Sequence, residues 1–395
     1  MMQTILSINS GSSSVKASLY AVTPEGRLGA ALHHLVAQLH DQHVELHEPA
    51  HGDAPSRTIT FPLSDTDPHD QLFEAVMHSL TDQGADTVVA VGHRVAHGGA
   101  HYHAPIVADA EALRELEQLI PLAPLHQPYG IGGIRALSKR FAGVPQIACF
   151  DTAFHAQLPK VETQFALPAE LAAKGIRRYG FHGLSYSHIA SVLPQYLGER
   201  ADGRIVVAHL GSGASLCAMQ ARRSVATTMG FTALDGLVMG TRCGALDPGV
   251  ILYLAEEMGQ SVAEITDMLY HRSGLLGVSG ESADMRTLLA SPTPQAAEAV
   301  DLFCYRVNRE LGAMVAALGG IDALVFTGGI GEHSVPVRKR IGGLANWLGV
   351  ALDDARNTAS AACISTADSR VSAWVIPTDE ERVIAMAALA EAGQR

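Results

Sequence analysis

The chain has 395 residues, with 28 Lys and Arg against 40 Asp and Glu, and a net charge of −12. At roughly 150 residues per domain the length implies two or three domains. With 47% hydrophobic and 17% charged residues, the composition excludes disorder as the main state and predicts a globular chain with a sizeable core. An acidic chain without a Lys/Arg-rich block predicts no nucleic-acid partner and no membrane surface, and no run of 18 apolar residues predicts a transmembrane helix.

The N-terminus, MMQTILSINSGSSSVK, has no basic n-region and turns polar after Ile8, so it is not read as a signal peptide. Ile5 to Asn9 then forms a strand, Ser10 to Ser14 a turn of small residues, and Val15 to Tyr20 a second strand. The stretch from about Gly26 to Pro68, rich in His, Asp and Pro, has weak periodicity and is expected to be an irregular or β-rich insertion. A helix is predicted over about 70–82, a buried strand at Thr87 to Val91, and helices over about 109–119 and 129–141. A short strand at Gln146 to Phe150 ends on Asp151.

Two hundred positions after the first hairpin its plan returns. Ile205 to Leu210 is a strand, Gly211-Ser212-Gly213-Ala214-Ser215 a tip of small residues, and Leu216 to Met219 a second strand. A Gly/Ser hairpin tip directs several backbone N–H groups and hydroxyls to one point, which suits an anion. Two such tips in corresponding halves predict a duplicated domain with a phosphate clamp. Helices follow at about 248–257, 261–271 and 295–318, then a strand at Ala323 to Phe326 running into Thr327-Gly328-Gly329-Ile330-Gly331-Glu332. That glycine turn before a helix suits a nucleotide, although it is neither a P-loop nor the dinucleotide fingerprint. The last helix covers about 380–392, with Thr378 as its expected N-cap and Glu381 completing a capping box. Alternating strands and helices predict an α/β fold.

Three glycine-bounded loops carry arginine: Gly92-His93-Arg94-Val95-Ala96-His97-Gly98-Gly99, Arg177-Arg178-Tyr179-Gly180-Phe181-His182-Gly183, and Met239-Gly240-Thr241-Arg242-Cys243-Gly244. Such arginines are disposed to grip a carboxylate or phosphate. Asp151 at a strand end and Glu380 or Glu381 are the acidic candidates. Cys149, Cys217, Cys243, Cys304 and Cys363 are widely spaced and never in a CxxC pair, which suits a reducing, cytoplasmic setting. The 19 histidines are scattered, and pairs such as His33/His34 and His101/His103 are read as surface residues.

The motifs INSGSSSVK, GHRVAHGG, APLHQP, FDTAFH, RRYGFHG, HLGSGAS, MGFTALDGLVMGTRCG, SGLLGVSG, FTGGIGEHS and IPTDEE run in order over residues 5–381. Together they resemble the acetate, propionate and butyrate kinase family of the actin-like sugar-kinase and heat-shock-ATPase superfamily. The resemblance implies two actin-like, ribonuclease H-like domains related by duplication, with a cleft between them. Domain I would be 1–152 plus 378–395, and domain II, nucleotide-binding and dimerising, 153–377. It implies a kinase that moves the ATP γ-phosphoryl to acetate, giving acetyl phosphate and ADP, in a homodimer.

By the same resemblance, Asn9 and Glu380 would hold Mg²⁺ or Mn²⁺, with Ser12, Ser14 and Lys16 along the phosphate path. Arg94 would bind the substrate carboxylate, with Ala96, Leu125, Phe181 and Ala233 beside the acyl group. Asp151 would be the catalytic acidic residue, His182 and Arg242 would stabilise the transition state, and His126 would be a further active-site histidine. ATP would meet His209, Leu210, Gly211, Ser212 and Gly213, then Asp284, Met285 and Arg286, then Gly329, Ile330, Gly331, Glu332 and His333.

The chain departs from the family pattern at several points. Gln127, Ser212 and His333 stand where the family has Asn, Ala226 and Ala245 where it has Asp, and Leu184 and Tyr186 where it has Thr and His. Ala96 and Ala233 replace Val and Pro, which adds room for propionate. The alternatives are a propionate kinase, an actin-like assembly ATPase with no metabolite acceptor, and a sugar or polyphosphate-type phosphotransferase.

Overall fold

The structure, a computed structural model, describes residues 2–11, 14–40, 42–49, 56–64, 67–81, 87–124 and 126–393. The chain divides into two compact units: residues 1–153 with 379–395, and residues 154–378.

The first unit is built on β1 (Thr4–Ser10), β2 (Ser14–Val22), β3 (Leu28–Leu39), β4 (His43–Glu48), β5 (Arg57–Pro62), β6 (Val88–Val95), β7 (Ile106–Val107) and β8 (Gln146–Phe150). They form one sheet in the order β5-β4-β3-β2-β1-β6-β8-β7. Every residue of β1 is buried, as expected for a central strand covered on both faces. Side chains alternate between the faces. Leu6 and Ile8 point into a core with Leu72, Phe73, Val76 and Leu80 of the helix Pro68–Thr81. The other face of β1 and β6 is covered by the helix Glu380–Ala392, so tightly that a Cβ on Gly92 would stand 2.6 Å from Ile384 Cγ2.

The second unit holds β9 (Ile205–Leu210), β10 (Ala214–Gln220), β11 (Arg223–Thr227), β12 (Ala323–Thr327) and β13 (Ser372–Val375), in the order β11-β10-β9-β12-β13. Val206, Ala208, Leu210, Ala214, Leu216 and Ala218 pack on the helix Pro294–Leu318. Ile205, Val207, Cys217 and Met219 face the helix Gly183–Leu197.

The two sheets share a plan. In each, the first two connections are antiparallel (β1/β2 and β2/β3; β9/β10 and β10/β11), and the two strands on the other side are parallel (β1/β6 and β6/β8; β9/β12 and β12/β13). The strand order is therefore the same third-second-first-fourth-fifth in both, which makes the duplication a property of the whole sheet and not of the hairpins alone.

Most predicted elements lie within two residues of their observed bounds. The segment from Gly26 to Pro68 is not simply an insertion, because β3 supplies the third strand of the shared plan. The helix Gly183–Leu197 was not anticipated: it opens on Gly, contains Pro194 and buries Ser185 and Tyr186, so no clean polar face marks it. The cap of the last helix is Asp379, which accepts from Arg382 N at 2.9 Å, and not Thr378. The Thr378 hydroxyl bonds to Ser185 Oγ instead.

Candidate active site

The alternation of the strands decides which side chains gather in the first unit. Ser7 pairs with Gly92 and Asn9 lies two residues further, so Asn9 and Arg94 share the face covered by the last helix. Asn9 Nδ2 donates to Glu380 Oε2 at 2.9 Å and to Glu381 Oε1 at 3.3 Å. Asp151 directly follows β8 and is 1% exposed. Its Oδ2 accepts from Arg94 Nε at 2.9 Å and Nη2 at 2.6 Å, and Arg94 Nη1 reaches Asn9 Oδ1 at 3.4 Å. Lys16 lies opposite Asn9 on β2 and is exposed.

The electrostatics of this cluster set three acidic side chains around one arginine. Burial holds the Glu380 carboxyl well above the usual carboxylate range; Arg94 opposes this, while Asp151 and Glu381 add to it. Burial disfavours the Arg94 cation, but Asp151 and Glu380 outweigh it and keep the guanidinium charged. Three carboxylates therefore crowd one arginine, and the Asn9, Asp151 and Glu380 oxygens are the hard donors that Mg²⁺ prefers. Those residues fit the ion.

Around them, loop positions are tightly specified. Gln127 is fully buried: its Oε1 accepts from His97 N at 2.9 Å and its Nε2 donates to His97 O at 3.0 Å. The departure from Asn at this position thus serves to clasp the segment after β6, whereas Gly92 to Val95, expected in a loop, belong to that strand. His126 is half-buried at the N-cap position of the helix Gln127–Arg140, Ala96 is buried, and Ser14 is half-buried beside Gly11. Ser12 and Leu125 lie outside the described residues.

In the second unit, His209 is the last inward residue of β9 on the face of the helix Gly183–Leu197, and Ser215 shares that face from β10. His182 caps the helix with φ +58°, a left-handed conformation uncommon outside glycine. Its ring stacks on His209 with centroids 4.4 Å apart and 24° between planes. A Cβ on Gly213 would stand 2.8 Å from Arg242 Nη2 and 3.1 Å from His182 Nε2, so both groups converge on the glycine turn. Arg242 Nη1 donates to Ala233 O at 2.6 Å, and Gly240 N donates to Ser212 O at 3.0 Å, which docks the arginine loop against the turn.

His155, from the FDTAFH motif, was not singled out in the sequence and has a clear task here. Its Nε2 donates to Phe181 O at 3.0 Å, because a carbonyl only accepts; its Nδ1 then accepts from Ser224 Oγ at 2.8 Å. Burial lowers its pKa to about 4, so it stays neutral and pins the Phe181–His182 loop.

The glycine stretch after β12 is not a turn before a helix but a short helical turn itself, Gly328–His333, and it needs its first glycine: Gly328 has φ +76° and lies against the backbone of Leu210. Glu332 Oε1 accepts from Gly328 N at 2.9 Å and Thr378 N at 3.1 Å, so its carboxylate fastens the turn. Arg338 is fully buried and was also missed. It donates to Gly331 O, Glu332 O, Asn357 Oδ1, Asn357 O and Ser360 Oγ, bracing the same turn from beneath. Gly329, Ser212 and His333 are exposed, whereas the side chains of Leu210 and Met285 lie in the core and only their backbones can meet a ligand. Asp284 caps the helix Met285–Ala290 and pairs with the exposed Arg286.

Among the described residues, a further trio, His40, His43 and Glu45 on the β3–β4 hairpin, brings potential metal-ligating atoms within 4.8 Å of one another, a spacing the sequence reading passed over.

The acetokinase family model matches residues 4–386. The chain belongs to the acetokinase family. It is 52% identical to an acetate kinase of Rhodopseudomonas palustris over 394 residues, 98% of this chain and 97% of that one. An acetate kinase of Methylocella silvestris is 47% identical over 410 residues, 99% and 98% of the two chains. Among solved structures, a propionate kinase from Francisella tularensis superposes with a TM-score of 0.90 at 36% identity, covering 98% of this chain and all of that one. The acetate kinase of Porphyromonas gingivalis gives 0.86 at 33% identity, covering 98% and 99%. As an acetokinase, the chain has the mixed α/β, duplicated actin-like fold. No described helix is long and apolar enough to cross a membrane.

Proposed function

We propose that this protein is an acetate kinase, which transfers the ATP γ-phosphoryl reversibly to acetate and also accepts propionate. The observation that carries this reading is the convergence of Arg242 and His182 on the Gly211–Gly213 turn. An assembly ATPase has no use for such cationic and hydrogen-bonding groups aimed at a transferring phosphoryl group. Simple carboxylic acids titrate near the Asp/Glu range, so acetate is ionised at pH 7 and needs no general base. One carboxylate oxygen bonds to the γ-phosphorus as the bond to the β,γ-bridging oxygen breaks, and ADP leaves with that electron pair. No proton moves.

Catalysis then reduces to alignment and charge neutralisation. Arg94, locked by Asp151, binds the substrate carboxylate; Arg242 and His182 donate to the equatorial oxygens of a metaphosphate-like transition state. Asp151 orients Arg94 and accepts no proton. Asn9 and Glu380, near Asp151, would hold Mg²⁺ or Mn²⁺. That ion would neutralise phosphate charge. Ser14 and Lys16 line the phosphate path, while the segments 209–213, 284–286 and 329–333 receive ATP. Ser12 and Leu125 join the phosphate path and the acyl site, respectively, by resemblance.

Ala96 and Ala233 are small where the family has Val and Pro. The added room is worth roughly 1–3 kcal/mol of discrimination, so propionate is the second substrate. The five free thiols suit a reducing cytoplasm. The helix Pro248–Glu256 buries none of its residues and exposes Leu252 and Tyr253 (both 59%) near Met258 and Val262. A second copy of this chain would cover that face, giving a homodimer.

A hydroxamate assay with acetate, ATP and Mg²⁺ tests the reading. Turnover is expected, and Arg242→Ala should reduce kcat by about 10²–10³-fold with ATP affinity nearly intact. Absence of acyl phosphate would favour the assembly ATPase, and a near-normal kcat in the variant would remove Arg242 from catalysis. Comparing kcat/KM for acetate and propionate tests the pocket argument.

A further inference from the structure

Behind each of the stacked histidines of the second unit stands a short chain of hydroxyls. His182 Nδ1 lies 2.9 Å from Ser215 Oγ, which lies 2.5 Å from Tyr186 OH. His209 Nδ1 lies 2.8 Å from Ser185 Oγ, which accepts from Thr378 Oγ1 at 2.9 Å. Ser185, Ser215 and Tyr186 are each fully buried, so the direction of every bond follows from satisfying their protons.

Burial, the Cys217 thiol reinforcing it, raises the Tyr186 phenol well above its ordinary range, and it keeps its proton. If Tyr186 donates to Ser215, Ser215 donates to His182 Nδ1 and every proton in the chain is used. In the reverse direction, with an Nδ1–H on His182 donating to Ser215, one buried hydroxyl proton loses its acceptor, a costly arrangement. The same reasoning applies to Thr378, Ser185 and His209, where the outer hydroxyl already donates inward.

We propose that Tyr186–Ser215 and Thr378–Ser185 are twin positioning relays that hold His182 and His209 as neutral imidazoles with the proton on Nε2. This inference rests on the proposed role of His182 at the phosphoryl group and specifies the form in which it acts. The charged and titratable neighbours within this unit agree with it. Two imidazolium rings 4.4 Å apart would repel, and the Arg242 guanidinium shares the approach to Gly213 with His182 Nε2. His182 is thereby a fixed N–H donor with no proton to exchange, matching a reaction in which no proton moves.

The test is long-range ¹H–¹⁵N NMR on the full-length enzyme labelled in histidine, with His182→Gln and His209→Gln to assign the signals. At pH 7 both rings should show a pyridine-type Nδ1 and a pyrrole-type Nε2. Tyr186→Phe removes the outer donor but leaves Ser215 able to donate its proton to Nδ1, so the Nε2–H tautomer of His182 should persist. Ser215→Ala removes the donor at Nδ1 itself: the pyridine-type Nδ1 signal should move downfield towards that of an unbonded nitrogen, and kcat should fall about tenfold with KM for ATP unchanged. An Nδ1–H or imidazolium His182 in the unmodified enzyme, or an unchanged His182 Nδ1 signal in Ser215→Ala, would overturn the proposal. Full activity of His182→Gln would instead refute the catalytic reading while leaving the tautomer assignment standing.

Discussion

Gly92 gives the most direct measure of how the fold positions the Glu380 carboxylate. In Gly92→Ala the new methyl would stand 2.6 Å from Ile384 Cγ2, 2.8 Å from Ile384 O and 3.1 Å from Ala388 Cβ. Ile384 can rotate its side chain away, but its carbonyl is fixed in the helix. Ordinary contact begins near 3.4 Å, so the helix Glu380–Ala392 has to retreat by about 0.6 Å. Overpacking of this kind costs about 1–3 kcal/mol, and for a unit of this size each kcal/mol lowers Tm by roughly 2–4 °C. Because Glu380 opens that helix, the Asn9–Glu380 bond at 2.9 Å lengthens with it. Misplacement by 1 Å can cost about 10²-fold in rate, so kcat/KM should fall about tenfold. Differential scanning calorimetry and the hydroxamate assay measure both effects. Ile384→Ala in the same chain does not move the carbonyl but frees the helix to shift on its packing, and should recover part of each loss. A Gly92→Ala enzyme with unchanged Tm and kcat/KM would show that helix and strand are not in the contact described.

Acid stability should depend on the buried neutral histidines. Burial lowers His93, His97 and His155 to about 4; the unfolded chain binds their protons below about 6.5 and the native state does not. Stability therefore rises with pH across 4–6.5 and is lost on acidification, by about 2 kcal/mol per histidine between pH 7 and pH 5. His93→Leu should flatten the pH dependence of Tm by about one proton in that window, and an unchanged slope would refute the assignment. Arg338→Lys lacks the planar five-donor fork and leaves buried acceptors unpaired at about 1–3 kcal/mol each. It should lower Tm and raise KM for ATP more than it changes kcat; equal KM would separate the brace from nucleotide binding. Leu252→Asp on the exposed helix should yield a monomer by light scattering, whereas a persistent dimer would place the interface elsewhere.

The hairpins at 5–20 and 205–219 made the duplication legible because Gly and Ser turns punctuate a sequence strongly. Asn9 and His209 even occupy equivalent ends of β1 and β9, each facing the helix that lies on that side of its sheet. Arg94 was readable as a candidate from its glycine-bounded surroundings, Asp151 from its place at a strand end and Glu380 from a helix start. What stayed hidden was the supporting layer. Gln127, His155, Ser215 and Arg338 act through bonds to residues as many as 30, 69, 33 and 22 positions away, and no local pattern marks such a partner. The helix Gly183–Leu197 was missed for a related reason: the hydroxyls of Ser185 and Tyr186 that weaken its apolar signature are the ones that serve the histidines.

The first unit is closed by residues that the ribosome reaches only after it has made the second. Its sheet is complete in sequence by residue 150, yet the helix bearing Glu380 arrives only after all of residues 154–378 have been made. At about 5–20 residues per second that interval is on the order of ten to fifty seconds. During it the groove over Gly92 lies open, and Asn9 and Arg94 lack their distant carboxylate partner. A chain stopped before residue 380 can fold its second unit and still lack Glu380, so the protein withholds the last part of its proposed cation site until the whole of the second unit has been made.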